Sequence, residues 1–63
     1  MFSIAINKKQ ARDNYEFSIS EISKGWISRG KFLVIHDRSE GSLRKLASIL
    51  YKEFKIESRV YEI

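Results

Sequence analysis

Apolar and polar residues alternate from Phe2 to Asn7, with Phe2, Ile4 and Ile6 on one side and Ser3, Ala5 and Asn7 on the other. Successive side chains of a strand point to opposite faces, so this spacing predicts a half-buried first strand. The polar stretch Lys8 to Asn14 reads as a loop. Beyond it, Tyr15, Phe17 and Ile19 alternate with Glu16, Ser18 and Ser20, which predicts a second strand paired with the first as a hairpin with a basic tip. Ile22 breaks the alternation, and Lys24-Gly25 and Arg29-Gly30 are turn signals, so Trp26-Ile27 is either a strand end or a small flap.

Lys31 to His36 is apolar on both faces, Phe32 and Val34 pointing one way and Leu33 and Ile35 the other, the pattern of a central strand. Asp37 or Ser39 is placed to cap a helix over Glu40 to Lys55. At about 100° per residue from Leu43, the positions of Leu46, Ala47, Leu50 and Phe54 fall within about 60° of one direction, a core-facing stripe. A last strand runs from Ile56 or Glu57 to Ile63, with Val60 and Tyr61 on opposite faces. The pattern therefore predicts an α+β fold of order β-β-β-α-β. It is an antiparallel three-stranded meander with one helix on one face and a C-terminal strand parallel to strand three, reached by a right-handed crossover. Residues 1–63 are read as a single domain.

Length sharpens this picture, because a chain of 63 residues buries only about 60% of its unfolded surface. With no cysteine it has no disulfide, no thiolate metal site and no thiol nucleophile, so its thin core depends on packing or on self-association. A composition of 43% hydrophobic and 32% charged residues without proline excludes disordered, collagenous and membrane classes. The short apolar stretch at the N-terminus precedes its positive charges, unlike a signal peptide, and no run approaches the roughly 20 apolar residues of a membrane span. A cytoplasmic location is expected, with no membrane partner.

Candidate chemistry is sparse. The only histidine, His36, precedes Asp37, but metal phosphohydrolase sites draw on several histidines, and the only other aspartate is Asp13. His36 is expected to be partly buried with a backbone partner and Asp37 to cap the helix. Glu16 and Glu21 would lie on opposite faces of one strand, and Gly25, Gly30 and Gly41 form no phosphate-cradling loop. No enzymatic activity, cofactor, metal or small-molecule substrate is expected.

The net charge of +4 favours acidic partners, and the helix gives it a location. Arg44, Lys55, Lys52 and Lys45 fall at about 100°, 120°, 180° and 200° from Leu43, with Glu40 and Glu53 displaced to about 60° and 280°. Lys8, Lys9 and Arg12 at the hairpin tip, and Lys24, Arg29 and Lys31 around Trp26, add two basic loops. Trp26 can stack a base, anchor a protein contact or close the core. No RNP-type signature of an RNA-recognition sheet is present, and the order of elements differs from a double-stranded-RNA-binding domain, which begins with a helix.

One helix covers one face of a sheet, yet strand three is apolar on both. Leu33 and Ile35, or Phe32 and Val34, together with part of Trp26-Ile27, are left for a partner, unless the Trp26 flap folds over them. Ile49, at about 240° on the helix, and an edge strand ending at Ile63 add to this interface. A homodimer or a standing partner is the expectation. Two functions follow: a nucleic-acid-binding module working mainly through phosphates, or a regulator or inhibitor docking on a protein through Trp26, Ile49 or its edge strand.

Overall fold

The computed structural model describes residues 1–63. The chain order is β1 (Phe2–Asn7), α1 (Lys8–Arg12), α2 (Tyr15–Ser18), a 3-10 turn at Glu21–Ser23, β2 (Ile27–Arg29), β3 (Phe32–Asp37), α3 (Glu40–Phe54) and β4 (Ser58–Glu62). The four strands form one antiparallel sheet in the order β2-β3-β1-β4. Taking α1, α2 and the 3-10 turn as one helical unit, this is the β-α-β-β-α-β order of a split β-α-β sheet.

Three expectations are corrected. Lys8 to Asn14 is not a hairpin loop, because the carboxamide oxygen of Asn7 accepts from the N–H groups of Lys9 and Gln10 at 2.9 and 3.2 Å and starts α1 where β1 ends. Tyr15 to Ser20 is not a strand. The Asn14 side-chain oxygen accepts from the Phe17 N–H at 2.9 Å, and its amide donates to the Phe54 carbonyl at 2.7 Å, tying α2 to the end of α3. Residues two apart on a helix diverge by about 200°, so only Phe17 of the alternating set is buried, and Tyr15 and Ile19 stand in solvent. Finally, β4 runs in the same direction as β3 but does not pair with it. β1 lies between them, antiparallel to both, so the meander and the parallel pair are replaced by a crossover that skips one strand.

The helix follows its pattern. Ser39 Oγ accepts from the Ser42 N–H at 3.2 Å, Asp37 accepts from the Ser39 N–H at 2.7 Å, and Leu43 and Leu50 are buried against the sheet. Its end is closed by Lys55 in the left-handed region at φ 57°, which lets the Ile56 N–H donate to the Leu50 carbonyl at 3.1 Å. That turn drives Ile56 into a core shared with Ile4, Ile6, Ala11, Phe17, Leu43 and Leu50.

Trp26 closes one side of this core. Its indole N–H donates to the Ile22 carbonyl at 2.6 Å, and its ring meets Phe17 edge-on at 6.3 Å, as Phe17 meets Phe54 at 5.6 Å. Leu33 and Ile35 pack against the same cluster, so they lie under the helices and not on the face left for a partner. No helix is long and apolar enough to cross a membrane.

Candidate functional site

Cross-strand partners share a face, so the register defines the side of the sheet that faces away from the helices. At one end Phe32 stands opposite both Arg29 and Asn7. In the middle, Val34 lies between Ile27 and Ala5, with Arg59 on the far side of Ala5. At the other end Ser3 separates His36 from Tyr61. Ile63 continues this end, its N–H donating to the Met1 carbonyl at 3.1 Å.

The floor is made of small or buried side chains, Ser3, Ala5 and Val34, while the large ones stand at the rim. Phe32 is 48% exposed and Tyr61 38%, and between them lies a groove of about 670 Å³. No aspartate or glutamate lines it, whereas Arg29 and Arg59 do. Each arginine has an aromatic neighbour: Arg29 faces Phe32 across the β2-β3 ladder, and Arg59 shares a face of β4 with Tyr61. His36 is half-buried, and its partner is not backbone: Nδ1 and Ser3 Oγ are 2.6 Å apart, the hydroxyl donating when the ring carries its proton on Nε2.

The expected cations divide between two layers. On α3, Arg44 is held by Glu40 at 2.8 Å, a pair four residues apart. Lys45 and Lys52 make no ion pair, and the ammonium of Lys55 sits 5.8 Å from the centre of the exposed Tyr51 ring. Ile49, 41% exposed, lies on the solvent side of the same helix.

Lys8, Lys9 and Arg12 belong to α1 and not to a hairpin tip. The Lys8 N–H donates to the Lys31 carbonyl at 2.9 Å, which brings the start of α1 beside the β2-β3 turn. That turn has the two-residue loop Gly30-Lys31 with Gly30 at φ 56°, a conformation that favours glycine. Lys24 is tied to Glu21 at 3.2 Å, and the indole itself is engaged in the core.

Sequence reasoning missed Phe32, His36, Arg59 and Tyr61 as members of one surface. The signal for the last two was present, since Arg59, Tyr61 and Ile63 are spaced by two on the last strand. Their meeting with Phe32 and Arg29 depends on β1 lying between β3 and β4. No group of three or more His, Cys, Asp or Glu side chains comes together. No known protein-family model matches the chain, and no curated protein and no solved structure is significantly similar to it.

Proposed function

We propose that the protein is a small non-enzymatic binding module that engages nucleic acid, mainly through its phosphates. The observation that carries this reading is the flank of α3 on which Lys45 and Lys52 form no ion pair, with Lys55 likewise unpaired at the helix's C-terminal cap, while Glu40, the acid bordering that flank, is occupied by Arg44. A helix adapted only for solubility tends to interleave the two signs of charge. Lysine ammoniums without carboxylate partners bind phosphates and release counterions, a gain that depends on salt and not on base sequence.

Fluorescence anisotropy with labelled duplex and single-stranded DNA and RNA tests the reading. Binding is expected at about 50 mM salt and should weaken steeply towards 200 mM. Changing Lys45 and Lys52 to glutamate should weaken all sequences together and flatten the salt slope. Absence of binding at low salt would sink the proposal.

A second reading, docking on an acidic protein surface, is favoured by one observation. β4 pairs only with β1, so its outer edge has free backbone groups beside the exposed Ile63. A stoichiometric protein partner in affinity capture, with no nucleic acid, would favour it over the first.

A further inference from the structure

We propose that the open face of the sheet is a platform for single-stranded nucleic acid, with bases stacked on Phe32 and Tyr61 and phosphates held by Arg29 and Arg59. This rests on the nucleic-acid reading above and adds to it a second surface and a preferred substrate.

The two aromatic rings are exposed at opposite corners of the groove, each beside an arginine. An aromatic face with a guanidinium next to it is the arrangement that holds an unpaired base and its phosphate, and it tolerates any base because every base has a π-face. The register gives the spacing. Phe32 and Tyr61 are two strands apart across the sheet and four residues apart along it, roughly 10 Å by 13 Å, hence roughly 16 Å on the diagonal. Neighbouring stacked bases are separated by only about 3.4 Å. Bases stacked on the two rings therefore cannot be stacked on one another, and several nucleotides lie between them. In a duplex the faces of the bases are closed by their neighbours, so these rings have nothing to stack on. The small floor of Ser3, Ala5 and Val34 leaves room for the intervening nucleotides, and His36, steadied by Ser3, borders their path.

Charge decides against a second copy and against an apolar peptide. Two copies stacked face to face would bring Arg29 and Arg59 of each into one apolar layer with no carboxylate among the lining residues to pair them. Burying unpaired guanidiniums is costly. An apolar peptide would meet the same objection, whereas a phosphodiester chain supplies one anion per nucleotide.

Anisotropy with a labelled 12-nucleotide oligo(U), the matching oligo(dT) and a duplex of equal length tests the platform on the intact chain. The single strands are expected to bind more tightly than the duplex. Phe32→Leu and Tyr61→Leu keep apolar volume but remove the ring, and each should weaken single-strand binding by about tenfold while leaving the duplex unchanged. Circular dichroism of both variants checks the fold. If the leucine variants bind single strands like the parent while the Lys45 and Lys52 variant loses binding, the platform is overturned and the phosphate reading stands. If no oligonucleotide binds, both fall. Self-association or capture of an acidic peptide that is lost in the leucine variants, with oligonucleotide binding unaffected, also overturns the platform.

Discussion

Leu33 and Phe32 are neighbours on β3, and Val60 and Tyr61 on β4, yet the first of each pair lies under α3 and the second faces the open groove. On the helix side, Ile4 and Ile6 meet Leu43 and Leu50, with Ala11 and Phe17 filling one flank and Trp26 closing it. On the other side nothing covers the sheet, and the side chains are arranged the opposite way, small in the middle and large at the rim. A core awaiting a helix or a second copy would present bulk at its centre. A central hollow bordered by two arginines and two aromatic rings suits a ligand that enters the groove. On the platform proposal, apolar residues on both faces of β3 mark two surfaces of different use, and not only a shortage of cover.

The strongest test of this contrast is on the helix side. Leu50 is fully buried, so Leu50→Ala should cost about 2–5 kcal/mol. Native domains have only about 0.05–0.15 kcal/mol of stability per residue. Urea denaturation should show the midpoint of the variant lowered by a large fraction of the parent's value, and a midpoint close to that of the parent would contradict the helix-side core. A smaller loss is expected at Asn14, whose side chain both caps α2 and donates to the Phe54 carbonyl. Asn14→Ala should lower stability by about 1–2 kcal/mol, and hydrogen exchange should rise in Tyr15–Ser18 before α3 is affected.

The contrast between the faces was only partly legible from the pattern of residues. β1 and α3 were legible because each has an unbroken period of two or of 3.6, β3 because of its continuous apolar run, and β4 as a short stretch with Val60 and Tyr61 beyond the helix end. The region from Lys8 to Ser23 was not, because α1 and α2 are too short to show a period, and each buries a single residue, Ala11 or Phe17. Their caps, Asn7 and Asn14, were the usable signals, outweighed by the chance alternation of Tyr15, Phe17 and Ile19. The basic flank of α3 was legible on a helical wheel. The wheel does not show the capture of Arg44 by Glu40, although four-residue spacing permits it. The open face could not be assembled at all without strand order, since Arg59 and Val34 flank Ala5 only once β1 is central.

One substitution should stabilise the helix side. Lys55 holds a left-handed conformation that costs an L-residue roughly 1–2 kcal/mol and glycine almost nothing. Lys55→Gly should therefore raise stability by about 1 kcal/mol, seen as a higher urea midpoint. Because it also removes a cation beside α3, the proposed nucleic-acid binding would weaken modestly in the same variant, so that stability and binding would move in opposite directions.

The smallest effect is expected on the open face, and it distinguishes that face most directly from the other. Tyr61 is on an edge strand and has no layer above it. Threonine favours strand geometry as tyrosine does, so Tyr61→Thr should change stability by only about 0.5 kcal/mol despite the size of the lost ring. The same reasoning requires the thermal midpoint of the parent protein to be independent of protein concentration. A second copy bound over the groove would stabilise the folded state by mass action, making the midpoint rise with concentration and Tyr61→Thr as damaging as a core substitution. Thermal unfolding of parent and variant across a wide range of protein concentration separates the two cases. A flat midpoint with a small loss leaves the groove open to a ligand, and a rising midpoint that the variant abolishes would make it a subunit interface.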